Sequence, residues 1–194
     1  MKKLLLPLLC LLILSANKKE ISTTKGSYGE ILRIGDNYQG GKIAYILQSG
    51  DPGYDASVQH GLIAAVIDQS SGTIWGCGGI TIPGADGTAL LTGNQNTIDI
   101  MAGCVTTKIA ARICGDLELD GFRDWYLPSK DELNKLYVNR EAIGRFSAVS
   151  YWTSSEENFG MAYVQLFGSG KNTGIQGAAN KDNVKCRVRA VRTF

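Results

Sequence analysis

Only one histidine, His60, stands among the 194 residues, so no site that needs two imidazoles from one chain can be built. Excess charge is small: 20 basic residues meet 18 acidic ones. A net charge of +2 does not by itself demand a nucleic-acid or other polyanionic partner. Beyond the first 16 residues no apolar run approaches 18 residues, where a membrane-crossing helix needs about 20. No cysteines stand at C-x-x-C spacing, the close pairing that zinc sites use. Prolines number four, whereas glycines number 24, well above the average of roughly 7%. They follow no G-X-Y period, so collagen is excluded and many turns are expected. With 44% hydrophobic and 20% charged residues, the chain has a globular composition and the length of one ordinary domain.

The first residues read as an export signal. Lys2 and Lys3 precede an apolar run from Leu4 to Leu14, and Ser15-Ala16 supplies small residues before a polar stretch. Leu14-Ser15-Ala16 is also what precedes the lipidated cysteine of bacterial lipoproteins, but Asn17 stands in the cysteine's place. Cys10 lies inside the apolar run. Export without a lipid anchor is therefore expected, to the periplasm, the cell surface or the medium. The expected organisation is a signal peptide over 1–16, a tether and lead-in over 17–39, and one domain over 40–194. Loss of Lys2 and Lys3 leaves 18 basic against 18 acidic residues.

Periodicity divides the domain. Strands are expected over Lys42–Gln48, Gly61–Asp68 and Thr73–Gly76, with Asp51-Pro52-Gly53 and Ser70-Ser71-Gly72 as breaks. Asn96-Thr97 reads as a helix cap. Ile98, Met101, Val105, Ile109 and Ile113 follow at helical spacing, with Gly103 bending or splitting the helix. Ser129 and Glu132 form a capping box after Pro128, opening a helix that presents Leu133, Leu136 and Tyr137. Strands are expected again over Tyr151–Thr153, Met161–Phe167, Thr173–Gly177 and Val184–Val191. Helices in the middle and strands on either side give an α+β class.

Several motifs invite chemistry. Asp116, Glu118, Asp120 and Gly121 imitate the start of a calcium loop, but Glu holds the second ligand position and Leu127 the twelfth. A solvated turn is the better reading. Gly168-Ser169-Gly170-Lys171-Asn172 lacks the first glycine and the magnesium-binding hydroxyl of a phosphate loop, and reads as a hairpin loop. His60 precedes a buried strand and reads as a hydrogen-bonded structural residue. Trp125, Tyr126, Tyr151 and Trp152 read as core rather than as a sugar-stacking platform. Lys185, Arg187 and Arg189 share one face of a strand, and internal pairing with Asp124, Asp131 or Glu132 is favoured over an anion-binding stripe. Ser154, Ser155 and Glu156 follow Trp152 at what looks like a strand end entering a loop, where recognition residues concentrate. Four cysteines lie beyond the export signal, Cys77, Cys104, Cys114 and Cys186, and in an oxidising compartment they suggest two disulfides with three possible connectivities. One continuous helix over 104–114 would hold its end Cα atoms about 15 Å apart, which disfavours Cys104–Cys114 unless a loop intervenes.

Three stretches occur in order: Asp124-Trp125-Tyr126-Leu127-Pro128-Ser129-Lys130-Asp131-Glu132-Leu133, Tyr151-Trp152-Thr153-Ser154-Ser155-Glu156, and Arg187-Val188-Arg189-Ala190-Val191-Arg192. With His60-Gly61-Leu62-Ile63-Ala64-Ala65 upstream, the chain resembles, over residues 40–194, the bacterial family named after the C-terminal domain of the collagen-like adhesin Lcl. The resemblance implies a C-type-lectin-like fold, two main helices packed on antiparallel strands with long Gly-rich loops, distantly akin to the sulfatase-modifying enzymes. It also suggests a Cys114–Cys186 disulfide, leaving Cys77–Cys104, and implies glycan or matrix binding at the cell surface with no known enzyme activity; the residues themselves lead to no expected metal or cofactor. The expected ligand is a surface glycan or protein, held by the 167–183 loop and its neighbours. The candidate contacts are Ser154, Ser155, Glu156, Lys171, Asn172 and Asn180. The alternatives are an interaction subunit of a cell-envelope assembly, or an enzyme akin to the sulfatase-modifying class, which would carry a reactive free thiol.

Overall fold

The computed structural model describes residues 31–168, 170 and 173–194, and the expected signal peptide and most of the tether lie outside them. Two antiparallel-rich sheets carry the chain. In the first, β1 (Asn37–Tyr38) pairs with β2 (Gly41–Ile46), β2 with β3 (Gly61–Ala64), and β3 with a strand from the chain's end, Val191–Thr193. The second sheet opens with β4 (Ser70–Thr73) at one edge. Four helices follow in sequence: α1 (Gly93–Gly103), α2 (Ala110–Gly115), α3 (Lys130–Val138) and α4 (Arg140–Ile143). The remaining strands are β5 (Ser150–Asn158), β6 (Met161–Leu166), β7 (Gln176–Asn180), β8 (Cys186–Val188) and β9 (Val191–Thr193). The second sheet runs β4-β8-β5-β6-β7, its β5–β8 pair being parallel. The class is mixed α+β, and Ile31–Phe194 form one compact unit.

Two apolar clusters hold the layers together. One gathers Ile43, Ile63, Trp75, Ile100, Ile109, Trp125, Trp152 and Val188. The other gathers Tyr45, Leu62, Tyr126, Leu133, Leu136, Tyr151, Phe167 and Val191. The four aromatics expected in the core, Trp125, Tyr126, Tyr151 and Trp152, are all buried. Buried indoles need an acceptor for their N–H: Trp75 donates to the Thr153 carbonyl at 2.9 Å and Trp152 to the Thr73 carbonyl at 2.8 Å. Trp125 Nε1 has no partner among the described residues.

The capping box forms as read: Ser129 Oγ accepts from the Glu132 N–H while Glu132 accepts from the Ser129 N–H. Gly103 does end α1. The helix starts earlier than expected, however, and Asn96 and Thr97 lie buried within it. Asn96 Nδ2 donates to the Gly87 carbonyl at 2.6 Å, and Thr97 Oγ1 donates to the Gly93 carbonyl and accepts from the Leu127 N–H. Their polar atoms tie α1 to its neighbours rather than capping it.

Strand boundaries shift where pairing overrides local preference. Ser70-Ser71-Gly72, read as a break, belongs to β4 because Ser70 and Thr73 pair with Val188 and Cys186. The 61–68 run leaves the ladder after Ala64. The expected strand over Val184–Val191 is two strands in two different sheets, with Arg189 and Ala190 crossing between them. Arg189 explains the crossing. Its guanidinium is buried, bonds Asp68, donates to the Ala65 and Arg145 carbonyls, and stacks 4.1 Å from the Phe146 ring centre. Arg187 also pairs with Asp68, at 3.0 Å. Internal pairing holds for Arg187 and Arg189, with Asp68 as the partner, whereas Lys185 is exposed outside β8 and Asp124 pairs with Arg192 at 2.7 Å.

Cys77–Cys104 is bonded, joining the loop after β4 to the end of α1. The second disulfide is not formed: Cys114 and Cys186 are free thiols within the first apolar cluster. Burial pushes the Cys186 thiol up to about 11, and pushes Cys114 up as well. Burial thus favours the protonated thiol, which is the weaker nucleophile. The imitation calcium loop is a tight hairpin turn: Leu119 and Phe122 exchange hydrogen bonds, Asp120 and Gly121 have positive φ, and Glu118 pairs with Arg123 at 2.8 Å. Among the described residues no cluster of three or more histidine, cysteine or carboxylate side chains could hold a metal ion. No helix of the described residues is long and apolar enough to cross a membrane.

Candidate ligand-binding cleft

A cleft of about 350 Å³ opens where the β2–β3 loop, the start of α1 and the end of β9 converge. Its apolar walls are Leu47, Leu91, Tyr126 and Phe194; its polar groups come from His60, Asn94 and Thr193. The long loop over 48–59 is pinned at its base by the Leu47 N–H, which donates to the His60 carbonyl at 2.8 Å. Its residues from Pro52 to Gln59 are exposed, and Gly53 among them lines the cleft. His60 Nδ1 lies 3.3 Å from the Phe194 main-chain oxygen, to which the Nδ1–H tautomer donates. The backbone under that contact must be glycine. A Cβ on Gly61 would overlap the Tyr45 carbonyl and come within 2.9 Å of the Phe194 ring.

The opposite wall is set by a buried carboxylate. Glu132 Oε1 accepts from the Tyr126 hydroxyl and the Leu91 N–H, each at 3.0 Å, while Oε2 accepts from the Ser129 N–H at 2.7 Å. Burial outweighs these hydrogen bonds and raises the Glu132 carboxyl above its ordinary range. Burial also pushes the Tyr126 phenol far up, with the adjacent Glu132 charge adding to it. The same carboxylate lies against Gly93 at the start of α1, where a side chain would strike it. One anion thus caps α3 and lies at the positive end of α1, whose own N-cap residue, Thr92, makes no side-chain cap bond. Leu91 adopts φ +66°, a conformation that costs a non-glycine residue on the order of 1–3 kcal/mol and persists only where the surroundings over-determine it. The Glu132 hydrogen bond to its N–H is part of that determination. Hydrogen bonds to Glu132 thus hold the Leu91–Tyr126 side of the cleft in place.

The residues marked from sequence fall elsewhere. β5 does not end after Trp152 but runs nine residues between β8 and β6, so the supposed loop residues are buried strand. Ser154 Oγ accepts from Asn96 Nδ2 at 3.2 Å. Ser155 Oγ donates to the Gly87 carbonyl and accepts from the Lys130 N–H. Glu156 accepts from the Ile82 N–H and forms a buried ion pair with Lys181, whose ammonium lies 4.6 Å from the Trp75 ring centre. These three side chains are committed inside the protein and do not meet solvent. Asn180 closes a turn, its Oδ1 accepting from the Asp182 and Asn183 N–H groups. Lys171 and Asn172 lie outside the described residues. Within the expected 167–183 loop, Gln176–Asn180 form β7, and Gly168, Gly170 and Thr173 border a second, more polar cleft of about 360 Å³ with Arg140 and Arg145.

Of the first cleft's lining, Gly53, His60, Gly61 and Tyr126 stood within turns or motifs noted in the sequence. Leu47, the Leu91–Asn94 pair and Phe194 come from three separate segments that no sequence pattern links. The small polar run Thr92-Gly93-Asn94-Gln95 is the one local sign of an open helix start. Comparison with known proteins returns no matching family model and no matching curated protein.

Proposed function

We propose that the protein is an exported, non-enzymatic binding module of C-type-lectin-like kind, related to the Lcl C-terminal-domain family, and that its ligand is a surface glycan seated in the Leu47–Leu91–Asn94–Phe194 cleft. The observation that carries this reading is the composition of the cleft walls. Aromatic and leucine surfaces meet amide, hydroxyl and imidazole groups, with no acidic or basic side chain among them other than His60. That lining suits a neutral ring with hydroxyls on its edges, whose apolar faces pack while its edges exchange hydrogen bonds. The buried Glu132 faces Tyr126 and backbone N–H groups, so it serves to hold the wall. His60 is engaged with a main-chain oxygen.

The test is a glycan array probed with the protein in calcium and in chelator, repeated with Asn94→Ala and with Phe194→Ala. Saturable neutral-sugar hits that survive chelation and fall at least tenfold in both variants are expected. Hits that neither variant weakens would place the site elsewhere. A blank array with folded protein would turn the reading to a protein ligand.

A further inference from the structure

The last strand of the second sheet, β7, pairs with β6 on one side, and among the described residues nothing pairs with its other side. Exposed edges of this kind are normally guarded by charge, proline or a bulge. This one has none: it reads Gln-Gly-Ala-Ala-Asn, in unbroken register with β6 from Gln176 to Asn180. The Leu166 N–H donates to the Ile175 carbonyl. Alternation along an antiparallel ladder then turns the main-chain groups of Gly177 and Ala179 toward β6. Those of Gln176 and Ala178, with the Asn180 N–H, point outward.

We propose that this edge pairs with the β7 edge of a second copy of the chain, antiparallel about a two-fold axis at Ala178. The strand is self-complementary in that register. Ala178 faces Ala178, Gly177 faces Ala179, and Gln176 stands opposite Asn180, each of whose amide side chains is already bonded within its own copy, Gln176 to the Lys130 carbonyl and Asn180 to the Asp182 and Asn183 N–H groups. No charge meets its like, as it would if Lys or Glu stood on the strand. The two ends match as well. Ile175, 55% exposed, precedes the strand, and Phe159, 63% exposed, stands at the other end, where the Gly160 carbonyl accepts from the Lys181 N–H. Ile80, 55% exposed, is beside it, since the Gly79 N–H donates to the Phe159 carbonyl. Antiparallel pairing carries Ile175 of each copy to the Phe159 end of the other, so each exposed apolar group gains a neighbour. An unrelated extended peptide would complete the hydrogen bonds without accounting for that match. The two five-stranded sheets become one across the axis. The inference does not depend on the ligand of the cleft.

Sedimentation equilibrium of the purified protein, from micromolar to millimolar, tests it. A strand-to-strand contact falls at the small end of specific interfaces, so a monomer–dimer midpoint on the order of 100 µM is expected. Ala178→Pro removes an outward N–H and leaves the β6 ladder intact, and should shift the midpoint upward at least tenfold. Ile175→Lys, at an exposed site outside the strand, should do the same and serves alone if the proline variant fails to fold by circular dichroism. A single-chain mass at 1 mM would overturn the proposal, as would a dimer whose midpoint Ile175→Lys leaves unmoved.

Discussion

Glu132 gathers more of the structure than any other side chain near the cleft. It holds the Tyr126 phenol, the strained Leu91 N–H and the start of α3. Its carboxyl titrates above the ordinary value of 4.5 in the folded chain because burial disfavours the anion. The folded state therefore holds this proton more tightly than the unfolded one. Its contribution to stability is complete below about pH 4.5 and is lost as pH rises through the folded value. Glu132→Gln has no such titration. It keeps one acceptor and leaves buried N–H groups without a partner, a loss of about 1–3 kcal/mol. The gap in unfolding free energy between parent and variant is expected to be widest near pH 4 and to narrow toward pH 7 in urea denaturation. A gap that widens with pH would contradict the placement. Asp124 behaves in the opposite sense. Its hydrogen bonds from Arg192 hold it below 3.8, so its contribution is present above that pH and fades as pH falls through the lowered value.

Among the elements, the disulfide and the free thiols make separable claims. Cys77–Cys104 closes a loop of 27 residues' separation, and replacing both cysteines by serine should cost about 3–4 kcal/mol in the chain-entropy account, read as a lower unfolding midpoint. Cys114 and Cys186 should resist a thiol reagent in the native protein and react only in denaturant. Fast native labelling would favour the enzyme alternative, and its absence would weigh against it. How far the elements were legible depends on where their determinants lie. The α3 start was readable because Ser129 and Glu132 are three residues apart and satisfy each other. The split at Gly103 was readable for the same local reason. β4 was not, because Ser-Ser-Gly becomes a strand only when Val188 and Cys186, more than a hundred residues on, pair with it. The burial of Ser154, Ser155 and Glu156 was hidden likewise. Their partners Asn96, Gly87, Lys130 and Lys181 come from three distant segments. The cleft was the least legible part, since its walls are adjacent only after both sheets have closed.

Across the whole molecule, the final turns of the chain decide whether there is a fold at all. β8 sits between β4 and β5 in one sheet, and β9 pairs with β3 in the other. Arg189 lies between them, anchored on Asp68. Deleting residues 186–194 strands β4 with no partner and leaves β3 unpaired on one side. Such a chain should lack a cooperative unfolding transition and the near-ultraviolet signal of the three buried tryptophans, while a deletion confined to Phe194 should retain both. The β8–β9 crossing also couples the two sheets in time: one short segment supplies a strand to each, so a chain in which Cys186–Thr193 has not yet docked holds neither sheet complete.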